Sequence, residues 1–353
     1  MKLLHIYPTF AVGGAQARFV AIANHFGRRW QHVIVAMDGI TTCRERLNPE
    51  LDVRFLDAGV IKDDTLGNLR RFRAILRTEQ PSCLVTSNWG SIEWGMAATG
   101  SGIRHVHMED GFGPDERTRQ ISRRVWTRRV VLHRREILVP SQVLYCMATQ
   151  TWRLPPKRVH YVPNGIDLSR FSSRATGRDG VPVIGTVAAL RAEKNLSRLL
   201  HAVAAMRNPA RLVIVGGGPE REMLGVLAAE LGIAERVTFA GHQTDTAPFY
   251  RDFDIFALSS DTEQMPLSVL EAMAAGLPVV STDVGDVAGM VSAENTRFIV
   301  DQNPENLANA LDGLAGNDEL RRSLGRSNRQ KAERDYSDIA MFEAHAALYE
   351  GKV

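Results

Sequence analysis

One strand–loop–helix segment in the second half of the chain has the residues of an anion site. Residues 254–285 read DIFALSSDTEQMPLSVLEAMAAGLPVVSTDVG, in which the apolar strand Ile255–Leu258 runs into a polar loop and then into a helical pattern. Proline fits the first position of a helix, so we place the helix start at Pro266. The free amides of Leu267 and Ser268 would then point out of the helix start, where a phosphate can bind.

Two glutamates flank this helix start. Glu263 lies in the loop before it, and Glu271 lies about a turn and a half inside it. A carboxylate beside a phosphate is unfavourable unless it binds hydroxyl groups, so the pair suits a sugar on one side and a ribose on the other. In the alternative interpretation, Glu263 complements the helix dipole and Glu271 is a solvated helix residue. Lys194, in the turn EKN, either neutralises the phosphate or is a solvated surface charge.

The order of motifs along the chain resembles the retaining glycosyltransferases of family 4, which have the GT-B fold. The pattern E-x7-E from Glu263 to Glu271, followed by AMAAGLPVVSTDVG, carries much of the resemblance. Other blocks occur in the family's order: YPTFAVGGAQARFVAIANHF (7–26), VPNGID (162–167), GTVAALRAEKNLSRLL (185–200), LVIVGGGPEREML (212–224) and RVTFAGHQTD (236–245). The resemblance therefore covers nearly the whole chain.

The resemblance implies roles for the residues that match the family's pattern. Glu271 would hold the nucleotide ribose, Glu263 would contact the transferred sugar, and Lys194 would neutralise the diphosphate. His107 matches a histidine near the transferred sugar, with a satisfied core histidine as the alternative. The resemblance also implies that the backbone of Met265, Pro266 and Leu267 binds the sugar and diphosphate. Gly13 and Gly14 would lie near the donor, and Gly241 and His242 would lie near the base.

Two positions depart from the family's pattern. The family usually has arginine five residues before the lysine of its phosphate segment, where this chain has Ala189. Arg191, three residues before Lys194, would supply the missing charge from the neighbouring turn. The chain also reads EQMP at 263–266 where the family usually reads E-G-F-G, so both glycines are absent.

Two segments of the first half are candidates for the acceptor side. Glu109 and Asp110 follow a strand in RHVHMEDGFGPDE, and NWGSIEW follows the preceding strand. We expect these loops to face a ligand cleft, with Asn88 and Trp89 lining the acceptor side. The alternative for Trp89 and Trp94 is packing in the core.

The segment Arg117–Arg135 contains eight arginines with Val125, Trp126, Val130 and Val131 between them. A basic amphipathic helix with tryptophan is typical of contact with an anionic membrane, and the alternative is a solvated helix face. On the membrane interpretation, the acceptor is a lipid-linked sugar at the cytoplasmic leaflet.

The N-terminus lacks the apolar core of a signal peptide, and no apolar run approaches the ~18 residues of a membrane-spanning helix. We therefore expect a cytoplasmic protein, peripheral on the inner face of the membrane if the basic segment binds there. The net charge of +3 is too small to imply nucleic-acid binding. Three widely spaced cysteines fit a reducing cytosol and show no metal-ligand spacing.

Length and hydrophobic pattern predict two α/β domains. The 353 residues suggest about two domains, and short apolar runs alternate with amphipathic stretches, which indicates parallel sheets with helices on both faces. We predict strands at Lys2–Tyr7, His32–Met37, Val53–Leu56, Cys83–Thr86, His105–Met108, Ile137–Val139, Val159–Val162, Val183–Val187, Leu212–Val215, Val237–Ala240, Ile255–Leu258, Val279–Thr282 and Arg297–Val300. Among the helices we predict Ala15–Phe26, Leu66–Thr78, Leu196–Met206, Pro219–Leu231 and Pro266–Ala275.

The polar segment Ser169–Gly180 is the predicted domain boundary, because it contains two glycines and has no apolar period. We place an acceptor-binding Rossmann-like domain at 1–168 and a nucleotide-sugar-binding Rossmann-like domain at 181–335. Residues 336–353 form a helix, which in this fold typically crosses back to the first domain. Since ligands bind beyond the carboxyl ends of parallel strands, the expected site is the cleft between two doubly wound domains.

The resemblance implies a hexosyltransferase that moves a sugar from a UDP- or GDP-sugar to a glycan or lipid-linked acceptor, in cell-surface polysaccharide or glycolipid synthesis. The leaving phosphate is usually pictured as accepting the acceptor's proton on the same face, so no covalent nucleophile is required, unlike in most retaining glycosidases. Lys194, Arg191 and the helix start at Pro266 would neutralise the diphosphate. No cofactor and no essential metal are expected.

Other activities remain open on the sequence. A sugar-nucleotide epimerase, a glycosyl phosphorylase and a non-catalytic nucleotide-sugar binding protein would share the fold. A nicotinamide-dependent Rossmann oxidoreductase is a further alternative, but neither VGGAQ nor GGGPER completes G-x-G-x-x-G.

Overall fold

The computed structural model describes residues 1–112, 114–116, 119–171 and 180–353. Within these ranges the chain forms two sheets, and every pair of neighbouring strands is parallel. Helices alternate with the strands along the chain. The predicted α/β class with two doubly wound parallel sheets is confirmed.

The first sheet has the strand order β3-β2-β1-β4-β5-β6-β7. Its central strands β1, β4 and β5 are buried along most of their length because both faces are covered; in β4 all five residues are buried. The strands are β1 Lys2–Tyr7, β2 Gln31–Ala36, β3 Val53–Phe55, β4 Cys83–Ser87, β5 Arg104–Met108, β6 Glu136–Val139 and β7 Val159–Tyr161. The helices that follow these strands are α1 Gly14–Phe26, α2 Thr65–Glu79, α3 Ile92–Ala97, α4 Ser122–Leu132 and α5 Gln142–Cys146.

The second sheet has the strand order β10-β9-β8-β11-β12-β13. Its strands are β8 Val183–Val187, β9 Arg211–Val215, β10 Val237–Gly241, β11 Ile255–Leu258, β12 Val279–Thr282 and β13 Ile299–Val300. The remaining helices are α6 Leu196–Ala205, α7 Arg221–Glu230, α8 Ala247–Asp252, α9 Leu267–Ala274, α10 Val287–Met290, α11 Pro304–Ala315, α12 Asp318–Asp335 and α13 Asp338–Glu350. No helix in the described ranges has both the length and the apolar character needed to span a membrane.

Twelve of the thirteen predicted strands agree with the structure to within one residue at each end, and the exception is the last. Arg297–Val300 is predicted as one strand, but residues Thr296–Phe298 form a 3₁₀ turn and only Ile299–Val300 pair with β12. The helix predicted from Pro219 begins later, at Arg221.

The chain divides into two compact units: the first unit is residues 1–163 with 340–353, and the second unit is residues 164–339. The sequence placed the first boundary a few residues later. Residues 164–171 belong to the second unit, where the Ile166 amide donates to the Tyr336 carbonyl (3.0 Å) and Arg329 donates to the Phe171 carbonyl (2.7 Å). Residues 172–179 of the predicted linker lie outside the described ranges. From Ala340 onward, α13 is part of the first unit, and its Tyr349 packs with Leu3 in the core.

In each sheet the strand order reverses beside one central strand. The reversal lies between β1 and β4 in the first unit and between β8 and β11 in the second. Loops leave such neighbouring strands in opposite directions, so a crevice opens at their carboxyl ends. The loops at these positions begin at Pro8 and Asn88 in the first unit and at Ala188 and Ser259 in the second.

Four of the buried histidines in the first unit have a lowered pKa: His5, His32, His105 and His345. His5 Nε2 lies 3.0 Å from His32 Nδ1, and the other nitrogen of each ring has no partner among the described residues. Burial is the main cause that lowers the pKa of all four: His5 and His105 fall well below the ordinary value, His32 falls to about 4 and His345 to about 3. These rings are therefore neutral in the folded unit near pH 6.

We predict that the first unit loses stability as the pH falls from 6.5 to 5. The unfolded chain protonates these histidines near pH 6.5, whereas the folded unit does not. Unfolding therefore takes up protons, and the free energy of unfolding decreases as the pH decreases. Below pH 6.5 each of these histidines lowers the free energy of unfolding by up to about 1.4 kcal/mol per pH unit. All five tryptophans lie in residues 1–163, so urea unfolding followed by tryptophan fluorescence reports this unit.

The double variant His5→Phe/His32→Leu should weaken this pH dependence, because it removes two of the four histidines. Replacing the exposed His133 by Gln should leave it unchanged. A free energy of unfolding that is constant over this pH range in the unmodified protein would contradict the prediction.

Candidate functional site

Lys194 and Glu263 meet where the loops after β8 and β11 come together. Lys194 ends a 3₁₀ turn, Ala192–Lys194, and its Nζ lies 2.6 Å from Glu263 Oε1. The Ser260 hydroxyl donates to the same oxygen at 2.7 Å. Both charged side chains are mostly covered, since 24% of the lysine and 10% of the glutamate side chain is exposed. The lysine is therefore not the solvated surface charge of the alternative interpretation.

A second set of contacts joins the same two loops. Asp261 Oδ1 accepts from Asn195 Nδ2 (2.9 Å) and Arg198 Nη2 (2.7 Å). The Ser259 hydroxyl donates to the Lys194 carbonyl at 3.1 Å. Ser260, Asp261 and Arg198 were not recognised from the sequence, although SSD directly after an apolar strand is a usable signal.

The helix after this loop begins one residue later than predicted. Pro266 is the N-cap, with φ −68° and ψ 122°, because its ψ is extended rather than helical. Its side chain offers no acceptor, and within the described ranges neither the Leu267 nor the Ser268 amide donates to a carbonyl outside the helix. These amides retain the capacity to bind an anion at the start of α9.

The loop backbone between Glu263 and Pro266 is held from two sides. The Asn164 amide group donates to the Met265 carbonyl at 3.0 Å, and the Asp286 amide donates to the Gln264 carbonyl at 2.9 Å. Gly285 has φ +56°, and a Cβ there would lie 2.6 Å from the Glu263 carbonyl oxygen. The loop is thus fixed without the two glycines that the family usually has.

Glu271, on α9, is partly buried rather than fully solvated. Burial raises the pKa of Glu271, and a hydrogen bond from Tyr250 and the charge of Arg170 oppose this rise. Tyr250 is fully buried, and its hydroxyl also lies 3.2 Å from the Ser268 carbonyl. The carboxylate is therefore held by the protein, as a group that binds ribose hydroxyls would need to be.

Glycines shape the neighbouring loops after β9 and β10. Gly216 has φ +142°, and a Cβ there would lie 1.9 Å from the Ala188 carbonyl oxygen. Its amide donates to the Gly241 carbonyl at 2.8 Å. His242 follows and is exposed, so its predicted place near a base is open to a ligand.

Arg191 is exposed, and its guanidinium has no hydrogen bond or ion pair to another described residue. Among the described contacts, none shows Arg191 taking the place of the arginine that the family usually has at position 189. That Arg191 supplies the charge missing at Ala189 stays a prediction.

In the first unit, Gly13 is the N-cap of α1 and Gly14 is its first residue. Gly13 has φ −163°, an extended conformation open to any residue, and a Cβ there would meet only the flexible Gln16 side chain. From α1, buried Arg18 pairs with Asp110 Oδ1 at 2.5 Å. The Asp110 amide donates to Asn88 Oδ1 at 2.7 Å.

Glu109 is fully buried, and this does not favour the expected direct contact with an acceptor. Its Oε2 lies 3.2 Å from Arg128 Nε. The same guanidinium donates to both carboxylate oxygens of buried Glu116, at 3.3 and 3.2 Å. We call Glu109, Arg128 and Glu116 the buried triad. Its arginine comes from the inner face of α4, so the triad anchors that helix to the loop after β5.

The two candidate tryptophans have different environments. Trp94 is fully buried and stacks on Phe72 with ring centroids 4.2 Å apart, which supports the core-packing alternative. Trp89 is half-buried beneath Arg124 and Arg128, with centroid distances of 5.1 and 5.0 Å. Its predicted place on the acceptor side is untested.

His107 is fully buried within β5. The Thr86 hydroxyl lies between His107 Nδ1 (2.8 Å) and His105 Nε2 (2.7 Å), and His107 Nε2 lies 3.5 Å from Glu109 Oε2. These are the surroundings of the core histidine that the sequence offered as an alternative. A direct catalytic role for His107 stays a prediction. Within the described ranges, no group of three or more His, Cys, Asp or Glu side chains could hold a metal ion.

Two glycosyltransferase family models match successive parts of the chain. Residues 12–170 match the family model described as Glycosyltransferase Family 4, and residues 170–331 match Glycosyl transferases group 1. The HepE protein of Anabaena, solved in complex with UDP, superimposes with a TM-score of 0.84 at 17% identity, over 99% of this chain and 100% of that chain. The fold is therefore the GT-B fold of glycosyltransferases.

Curated relatives give the chain its place within that class. It is 32% identical over 278 residues to a D-inositol 3-phosphate glycosyltransferase of Saccharomonospora viridis, covering 72% of this chain and 64% of that protein. It is 33% identical over 172 residues to the lipopolysaccharide core biosynthesis glycosyltransferase LpsE of Rhizobium meliloti, covering 48% and 50%. The chain thus spans half to two thirds of the length of these relatives. It is a homologue of GT-B glycosyltransferases similar to family 4.

We predict that Arg128→Met destabilises the first unit by about 3–5 kcal/mol, because it removes the guanidinium that pairs with the buried carboxylates of both Glu109 and Glu116. Urea unfolding followed by tryptophan fluorescence measures this change. Arg123→Met, at an exposed position of the same helix, is the matched control and should change the free energy of unfolding by less than about 0.5 kcal/mol. Equal effects of the two substitutions would show that the buried triad is not an anchor.

Proposed function

We propose that this protein transfers a hexose from a UDP- or GDP-sugar, with retention of configuration, to a glycan or lipid-linked acceptor in cell-surface polysaccharide or glycolipid synthesis. The observation that carries the proposal is the pairing of the Lys194 ammonium with Glu263, in the loop that leads from β11 to the open helix start at Leu267. Glu271 lies on the same helix. The names of relatives support it, since one binds UDP and another acts in lipopolysaccharide core synthesis.

The donor's leaving group is a nucleoside diphosphate. Lys194 and the amides of Leu267 and Ser268 neutralise the charge that develops on it. Glu271 accepts hydrogen bonds from the ribose hydroxyls, and Glu263 accepts one from the transferred sugar. The bond from the anomeric carbon to phosphate oxygen breaks while the bond to the acceptor oxygen forms on the same face. The acceptor proton passes to the leaving phosphate, so the reaction needs no cofactor and no metal.

We predict that Lys194→Ala lowers kcat/KM about 100-fold or more, because one preorganised charge at the leaving group is lost.

Glu271→Ala should mainly raise KM, because the ribose contact is equal in the ground and transition states. Release of UDP or GDP from a panel of nucleotide sugars, with and without acceptor, measures both effects. Lys331→Ala, also in the second unit, is the control.

Analysis of the products decides between the activities that share this fold. Conversion of the donor to its epimer, or sugar transfer only to free phosphate, would replace the proposed reaction by an epimerase or a phosphorylase. Donor binding without turnover would leave a binding protein. Normal turnover in both variants would refute the site.

The outer face of α4 favours a place at an anionic membrane. Trp126 and Val130 are 64% and 54% exposed and lie one turn apart, and exposed Arg123 and Arg134 flank them. On the inner face, the buried triad neutralises Arg128. The charge that remains outside, with an exposed tryptophan, suits anionic lipid headgroups at the cytoplasmic leaflet. The first residue of the predicted segment, Arg117, lies outside the described ranges.

We predict that the protein co-sediments with vesicles of phosphatidylglycerol and phosphatidylcholine but not with pure phosphatidylcholine, and that added salt weakens this binding. The variant Trp126→Ala/Arg123→Ala should bind at least tenfold more weakly. Arg251→Ala/Arg326→Ala removes two exposed arginines of the second unit and should bind normally. Equal binding by both variants would place any membrane contact elsewhere.

A further inference from the structure

At the candidate donor site, Lys194 would have two anionic partners, which are the Glu263 carboxylate and the diphosphate of the donor. The Lys194 ammonium lies 2.6 Å from Glu263 Oε1. The proposed function requires the same ammonium at the diphosphate. An ammonium that neutralises a diphosphate while it remains paired to a carboxylate would hold like charges close together, which disfavours the anionic ligand. Glu263 therefore competes with the diphosphate for Lys194.

The backbone around this pair is fixed, so an exchange must occur through side chains. Asp261 is bonded to Asn195 and Arg198 on the opposing segment, and its amide donates to the Glu193 carbonyl at 2.9 Å. Gly285 packs against the carbonyls of Glu263 and Gln264 from the other side. The Lys194 and Glu263 side chains carry several rotatable bonds and can change partners without moving these loops.

Ser260 gives the released carboxylate a second partner. Its hydroxyl donates to the same oxygen that Lys194 contacts, at 2.7 Å, and it comes from the same loop as Glu263. When the lysine leaves, the carboxylate keeps a hydrogen bond and stays at the site. It then has an oxygen available to accept from a sugar hydroxyl.

We propose that donor binding switches the partner of Lys194: the diphosphate takes the ammonium from Glu263, and the freed carboxylate turns to the sugar. This proposal rests on the proposed function, because it takes the donor to be a nucleotide sugar. On this proposal, Glu263 weakens the binding of a nucleoside diphosphate alone, and it contacts the sugar when the complete donor binds.

The experiment measures the dissociation constants of UDP and GDP by isothermal titration calorimetry for the unmodified protein, Glu263→Gln, Lys194→Ala and Glu294→Gln. Glu263→Gln keeps the size of the side chain and removes the competing charge. We expect it to bind the diphosphate that the protein prefers about 5- to 10-fold more tightly, with a gain that shrinks in high salt. Glu294→Gln removes an exposed carboxylate of the same unit and should bind as the unmodified protein does. Thermal melting without ligand verifies that each variant is folded.

The outcomes separate the two proposals. Weaker binding by Lys194→Ala together with tighter binding by Glu263→Gln supports the exchange. Weaker binding by Lys194→Ala with unchanged or weaker binding by Glu263→Gln overturns the exchange and leaves the donor site in place. Binding of neither nucleotide, or equal binding by Lys194→Ala and the unmodified protein, overturns the proposed donor site and the exchange with it.

Discussion

The parallel pairing of β8 with β11 is the constraint on which the candidate donor site depends. Phe256 pairs with Gly185, and a Cβ on Gly185 would lie 2.1 Å from the Phe253 ring, so close packing at this point requires glycine. Because the two strands run in the same direction, their following loops leave from one edge of the sheet. Lys194 and Glu263 are far apart in sequence and meet there. The contacts proposed for the diphosphate and for the transferred sugar use this edge.

The corresponding edge of the first sheet is built differently. The consecutive carboxylates of Glu109 and Asp110 point to buried arginines on two helices, Arg128 of α4 and Arg18 of α1. Burying such pairs costs desolvation, and breaking one leaves an unpaired buried charge. These ion pairs therefore fix the positions of α1 and α4, and with α4 the position of its exposed outer face. In this unit Glu109 and Asp110 each pair with a buried arginine, and their place on the acceptor side stays a prediction.

Much of the fold was predictable because parallel strands covered on both faces are short continuous apolar runs. β8 and β12 were predicted at their observed bounds for this reason. The length of β13 was overestimated, because Phe298 is buried like a strand residue but lies in a 3₁₀ turn. The start at Pro266 was off by one residue because proline suits both the N-cap and the next position, and only its ψ decides between them.

The site was predictable only in part, since ion pairing depends on tertiary contacts. The spacing of Glu263 and Glu271 indicated the loop and helix, but nothing local showed that Glu263 pairs with Lys194. Arg128 was counted within a basic surface segment. Its spacing of four residues from buried Leu132 is a signal that this arginine faces inward.

A crystal structure of the protein with UDP or GDP, and with the matching nucleotide sugar, tests the central claim most directly. The account predicts a phosphate oxygen within hydrogen-bond distance of Lys194 Nζ and of the Leu267 or Ser268 amide, with the ribose hydroxyls at Glu271. Glu263 should then contact the sugar rather than the lysine. A nucleotide bound elsewhere, with the Lys194–Glu263 pair intact and Glu271 remote from the ribose, would contradict it.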